Sequence, residues 1–312
     1  RRGLGVERAA AALITNVAAD HLGEYGIHHV SELIETKFIV RRALESNAPL
    51  ILNADDTGMV DFAAALDCRI TWFSLDPSNH LVRQQAETGG QAAVLNDGWL
   101  ELIEDGIARR VTHVGQVPAT MDGAAVHNVQ NALSAMVLCS VLGASDEAIR
   151  SGLAAFRGDE EDNPGRGNWF RKGNIRILVD FAHNVHGMNP LGEMVARIPA
   201  RRRILLMGQA GDRLDRDIVE LAQAGCRMNP DLIMPCELPG YERGRQTGVI
   251  PAMIRDAVID AGIPEENITC FESPQEAAQY ALEHAVDGDL MVFLALTQRQ
   301  EVLDLVHQFI GQ

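Results

Sequence analysis

The chain has 312 residues, 46% of them hydrophobic and 22% charged, with a formal net charge of -16. That length predicts two domains, each able to bury its own core, and the composition is that of an ordinary soluble globular protein. The acidic balance argues against a nucleic-acid backbone binder, and no apolar run is long enough for a membrane span. A soluble cytoplasmic protein with no membrane or nucleic-acid partner is therefore expected. The five cysteines, Cys68, Cys139, Cys226, Cys236 and Cys270, form no C-x-x-C pair and read as reduced thiols.

In chain order, residues 11–17 predict a short buried strand. A helix capped by Ser31 is expected from there to about Asn47, because Leu33, Ile34, Phe38 and Leu44 fall near one face. Residues 49–53 and 70–74 predict further strands, the first ending in Asn53-Ala54-Asp55-Asp56. Asp97-Gly98 and Asp105-Gly106 are hairpin-turn signals between short alternating runs, which predicts a small antiparallel layer over about 80–118. Helices follow over 124–142 and 146–156, the second capped by Ser145. The polar stretch 157–165 is the boundary candidate, giving domains 1–158 and 159–312. Beyond it, strands over 175–180, 203–207, 232–236, 268–271 and 290–294 alternate with helices, the pattern of a doubly wound parallel sheet.

In such sheets ligand sites gather at the carboxyl ends of the strands. Asp20-His21, Asn53/Asp55/Asp56, Asp180/His183/Asn184 and Gly208–Arg213 all fall at such ends. Each has a plainer reading. His21 alone fits a cap or core histidine, and Lys37 fits a solvated helix lysine. Asn128 and Asn131 fit a helix-start device, and Asp55-Asp56 a turn and N-cap. The acidic run 159–162 fits a solvated hinge, and His28-His29 a surface pair.

The motifs in their order nevertheless resemble the Mur ligase family. Thr15-Asn16, Asp20-His21-Leu22, Gly26, Lys37 and Asn53-Ala54-Asp55-Asp56 resemble its central domain. His127-Asn128-Val129-Gln130-Asn131-Ala132 resembles the start of its H-N-x-x-N-A helix. Asp180-Phe181-Ala182-His183-Asn184 and Gly211-Asp212-Arg213 resemble segments of its carboxy-terminal domain. Arg1–Gly5, Gly211–Ile218 and Arg243-Gly244-Arg245 are most similar to the cyanophycin synthetase branch.

The resemblance implies a central ATPase-type α/β domain followed by a Rossmann-like domain. It implies ATP-dependent joining of a carboxylate to an amine through an acyl phosphate, with ATP and Mg2+ required and an amino acid or peptide as substrate. A homo-oligomer is left open. Carried over, His21 would orient a magnesium ion, and Lys37 would be the lysine that the family often carbamylates into a metal-binding carboxylate. Asn128 and Asn131 would hold adenine and ribose, Arg166 would reach the phosphates, and Asp180 would contact the ribose. His183, Asp212 and Arg213 would lie near the incoming substrate.

The family's phosphate loop, G-x-x-x-x-G-K-[ST], occurs nowhere in the 312 residues. The chain is accordingly expected to be an N-terminally truncated piece of a ligase, inactive alone. The alternative is a binding module that takes a nucleotide or peptide without catalysis. Gln209-Ala210 replaces the more usual proline-bearing approach to Gly211-Asp212-Arg213, which leaves the amino acid added open.

Overall fold

The computed structural model describes residues 4–19 and 26–311. The chain divides into two compact units, Arg1–Arg157 and Gly158–Gln312.

The first unit is built on a six-stranded sheet. Its elements are β1 (Ala12–Ile14), α1 (Val30–Lys37), β2 (Leu50–Asn53), α2 (Thr57–Ala63), β3 (Ile70–Ser74), α3 (His80–Glu87), β4 (Ala92–Asn96), β5 (Trp99–Glu104), β6 (Ile107–His113), α4 (Val126–Val141) and α5 (Asp146–Ala155). The strands lie in sequence order; β1 to β4 are parallel, while β4–β5 and β5–β6 are antiparallel. Strand periodicity sorts the apolar residues onto two faces. Leu50, Leu52, Trp72 and Val94 pack with Leu33, Ile34 and Met59 on one side. Ile51, Phe73 and Ala93 pack with Val129, Leu133 and Met136 on the other. A sheet covered on both faces explains the uninterrupted apolar run of β2.

The two Asp-Gly turns are present, with Asp97 and Asp105 at φ 48 and φ 51, the left-handed values of a tight hairpin. They extend the same sheet, however, and do not form a separate antiparallel layer, because β4 pairs with β3 along its other edge. The expected helix from Ser31 to Asn47 is also shorter. It ends at Lys37 and tightens into a 3-10 segment, Phe38–Ala43. Ser31 is not its cap. Glu32 reaches back to accept from the backbone N–H groups of His28 (2.6 Å) and His29 (3.0 Å), satisfying donors that a helix start leaves open. Those bonds hold the Glu32 carboxyl below its ordinary pKa. Ser145 does cap α5, accepting from the Ala148 N–H at 3.2 Å.

The second unit contains β7 (Asn168–Lys172), β8 (Ile175–Asp180), α6 (Val185–Arg197), β9 (Arg202–Gly208), α7 (Asp215–Gly225), β10 (Leu232–Cys236), α8 (Val249–Asp260), α9 (Pro274–Glu283), β11 (Asp289–Leu294) and α10 (Arg299–Gly311). Its sheet has the order β10-β9-β11-β8-β7, parallel except for β7, an antiparallel edge strand. Ile177, Val179, Leu206 and Phe293 face α9 and α10 through Ala277, Ala281, Val302 and Val306. On the opposite side α6 packs on α7 and α7 on α8.

Two expectations change here. The strand β7 was not foreseen, because Asn168, Arg171 and Lys172 give it a polar look and it follows directly on the Gly- and Pro-bearing stretch. The strand expected over 268–271 is reduced to isolated bridges, Ile233 with Ile268 and Cys236 with Phe271. Thr269 and Phe271 donate to the carbonyls of Ile233 and Pro235, so this edge of β10 is the one at which Pro235 lacks an N–H. A ladder cannot be completed across that gap.

Candidate functional site

In the first unit the carboxyl end of β2 runs into Asn53-Ala54-Asp55-Asp56. Both aspartates are engaged internally, as the turn reading expects. Asp55 accepts from the Ser74 hydroxyl and, at 2.8 Å, from the Leu75 N–H. Asp56 caps α2 through the Met59 N–H (3.1 Å) and also accepts from the Val17 N–H (2.8 Å), tying the end of β1 to the end of β2. A Cβ at Gly58 would come 2.8 Å from Ile34 Cδ1. The last turn of α1 therefore lies against the first turn of α2, next to this edge. Lys37 is one turn beyond Ile34. It is exposed and has no hydrogen-bond or ion-pair partner among the described residues. His21 lies outside the described residues.

Strand β6 is antiparallel to β5, which is antiparallel to β4. Its end, and the turn leading into α4, consequently fall at the same carboxyl edge. Asn128 stands in the first turn of α4 and donates through its side chain to the Ala119 carbonyl at 2.8 Å. Asn131, one turn on and exposed, donates to Asn128 Oδ1 at 3.4 Å. The pair is thus brought together, with Asn128 fastened and Asn131 open to solvent.

In the second unit, the ends of β8, β9 and β10 form one polar corner. Asp180 Oδ1 accepts from the Ala182 N–H at 2.8 Å. The His183 ring nitrogen Nδ1 lies 3.0 Å from the Phe181 carbonyl, and Asn184 caps α6 through the Gly187 N–H. The buried Gln209 donates to the His183 carbonyl at 2.7 Å, linking the β8 and β9 turns. Arg245, from the loop after β10, donates to the carbonyls of Gly211 (2.7 Å) and Arg213 (2.6 Å) and pairs with Asp215 at 2.8 Å. A Cβ on Gly211 would collide with the Glu242 carbonyl, so only glycine allows this approach of two loops. Asp212 faces Arg243 at 3.9 Å. Arg166 lies over the Phe181 ring, 4.8 Å from its centroid, and Arg299 at 5.0 Å, so two guanidinium groups share one aromatic ring.

The structure thus gathers Asp180, His183, Asp212 and Arg213 at the corner, with Arg166 against the same β8 turn. Gln209, which belongs to the Gly208–Arg213 candidate stretch, holds it together with Arg245 and Arg299, neither of which was named as a site residue from the sequence. Arg299 had a signal: it is the first residue of α10, where a cation opposes the helix dipole and calls for another reason to be there. Arg245 stands in the Arg243-Gly244-Arg245 triplet, whose two guanidiniums within one loop were a weaker sign. At the end of β11, Thr297 Oγ1 and Arg299 Nε are buried without a hydrogen-bond partner among the described residues. Buried donors in this state fit an oxygen-rich, anionic ligand.

Two α/β units with polar turns gathered at the carboxyl ends of their strands have the layout of ligand-binding open sheets. Residues 3–139 match the Mur ligase middle domain and residues 165–295 the Mur ligase glutamate ligase domain; the chain belongs to the Mur ligase family. Within it, the cyanophycin synthetase of Trichormus variabilis is 33% identical over 294 residues, which cover 94% of this chain and 32% of that protein. The chain therefore spans about a third of the length of that relative. Among solved structures, MurF from Acinetobacter baumannii superposes with a TM-score of 0.65 at 18% identity, covering 96% of this chain and 60% of that one. Escherichia coli FolC in complex with DHPP and ADP gives 0.63 at 19%, covering 95% and 62%. These two likenesses establish the shared fold. No helix among the described residues is long and apolar enough to cross a membrane.

Proposed function

We propose that this chain supplies two domains of an ATP-dependent carboxylate–amine ligase of the cyanophycin-synthetase type. The observation that carries the reading is the polar corner of the second unit, where Arg166 and Arg299 stack on Phe181 beside Asp180, His183 and the Gly211–Arg213 turn. Relatives bound to ADP support a nucleotide as one substrate.

In the reaction, a substrate carboxylate oxygen attacks the γ-phosphorus of ATP and ADP departs. An amine then attacks the acyl carbon, loses a proton, and the tetrahedral adduct expels inorganic phosphate. The barrier falls when the reactants are held in line and the developing negative charge meets fixed cations. Arg166 and Arg299 would supply that charge. Asn128 and Asn131 would hold the adenine and ribose, and Asp180 the ribose hydroxyls. His183, Asp212 and Arg213 would orient the incoming amine substrate.

Magnesium bound with the phosphates would neutralise charge and align the oxygens. His21 and a carbamylated Lys37 would hold it. Lys37 is exposed and has no hydrogen-bond or ion-pair partner among the described residues, so its amine, once it has given up its proton, is open to attack carbon dioxide. The phosphate loop is not among these residues, so the 312-residue chain is expected to turn over no substrate.

The test is ATP hydrolysis by a longer parent chain that includes the phosphate loop, assayed with amino acids and peptides. Hydrolysis stimulated by one of them is expected. No ATP hydrolysis with any of them would sink the reading and favour a binding module. Bicarbonate is expected to raise the parent's activity but to leave a Lys37→Ala parent inactive.

A further inference from the structure

The amino-terminal edge of the second sheet is the opposite edge from the corner just described, and it carries an electrostatic oddity. Arg171 on β7 and Arg176 on β8 are directly opposed across the antiparallel pair. Like charges placed this way repel and cost stability. Arg201, just before β9, joins them, and the three arginines with Asn174, Pro199 and Gly288 line one open hollow of about 420 Å³. None of the three has an ion-pair partner among the described residues, in a chain whose net charge is -16. Arg171 donates to the Gly173 carbonyl (2.7 Å) and Arg176 to the Pro199 carbonyl, which fixes both side chains but leaves most of their N–H groups unused. Of the neighbouring acids, Asp287 accepts from Asn174 at the rim of the hollow, Asp289 pairs with Arg202, and Asp231 accepts from the Arg203 N–H; none is paired with the three arginines.

We propose that this hollow is a binding site for a phosphate-type oxyanion of about the size of pyrophosphate. Guanidinium forks match phosphate oxygens two at a time. Three arginines balance a ligand with two phosphate groups, which carries on the order of three negative charges. A single carboxylate would leave two of the arginines uncompensated. A bound oxyanion turns the opposed Arg171–Arg176 pair from a liability into a clamp. The site does not depend on the ligase reading, because it lies at the far edge of its own sheet and shares no residue with the corner.

The test titrates inorganic pyrophosphate, without magnesium, into the 312-residue chain by calorimetry, with citrate as the carboxylate comparison. Saturable one-site binding of pyrophosphate is expected. The Arg176→Gln/Arg201→Gln double variant should weaken it by at least about tenfold, whereas Arg255→Gln, on α8 and paired with Asp256, should leave it unchanged. Unaltered affinity in the double variant, loss of binding in Arg255→Gln, no saturable binding by the unaltered chain, or binding of citrate but not pyrophosphate would each overturn the proposal. Arg171→Gln gives a second handle. Without ligand its unfolding midpoint should not fall, because the repulsion is relieved; a fall would make the arginine a structural tie and count against the site.

Discussion

In the first unit the candidate edge is fastened by bonds within one β-to-α turn and its immediate neighbours: Asp56 to Val17 and Met59, Asp55 to Ser74 and Leu75. In the second unit the Gly211–Arg213 turn is fastened by Arg245, which reaches in from the loop after the next strand. The first arrangement leaves its candidate groups Lys37 and Asn131 exposed at the surface, Asn131 with a side-chain bond only to Asn128. The second builds its candidate groups into a hydrogen-bonded frame before any ligand arrives. Preorganised groups stabilise developing charge without reorganising; surface groups can be modified or can close on a ligand. The difference teaches that substitutions in the second unit should register as stability, and those in the first as activity.

Four substitutions test that contrast. Gly211→Ala should do the most damage, since its Cβ meets a backbone carbonyl that cannot swing away; a loss of roughly 3 kcal/mol is expected from overpacking. Denaturant unfolding of the 312-residue chain reads it, and a midpoint equal to that of the unaltered protein would show that the two loops are not locked. Arg245→Ala removes charged bonds to two carbonyls and should cost about 2 kcal/mol; a neutral result would remove the frame from the account. Asn128→Ala loses one bond to the Ala119 carbonyl and should cost about 1 kcal/mol, with weakened ADP binding in the longer parent if the asparagine holds the nucleotide. Lys37→Ala should change stability by less than about 0.5 kcal/mol yet abolish turnover by the parent. A destabilised but active Lys37→Ala parent would invert the contrast.

What the sequence made legible follows the same line. Strands such as Ile70–Ser74, Ile175–Asp180 and Leu232–Cys236 were readable because burial on both faces writes itself as a continuous apolar run. Turns with their own chemistry, Asp97-Gly98 and Ser145, were readable for the same local reason. What failed was set by distant partners. The edge strand β7 draws its pairing from β8, and the 268–271 segment is limited by a proline on a strand some thirty residues away. Among the candidate residues, Asp180, His183, Asp212 and Arg213 were legible as motif members at strand ends, and the structure brings them to one corner. Gln209, Arg245 and Arg299 act through contacts with loops remote in sequence, whose partners no local pattern encodes.

Asn168 changes how the boundary stretch should behave. Its side chain, 1% exposed, donates to the carbonyls of Gly158 and Asn163 and accepts from the Gly165 N–H, while Arg299 donates to the Pro164 carbonyl and His307 contacts Glu160. By composition, 158–165 is a linker that proteases should nick. Cleavage requires the backbone to open locally, and here one buried amide side chain stitches the loop shut. Limited digestion should therefore spare the acidic run 159–162, and Asn168→Ala should make that run the first place the chain is cut.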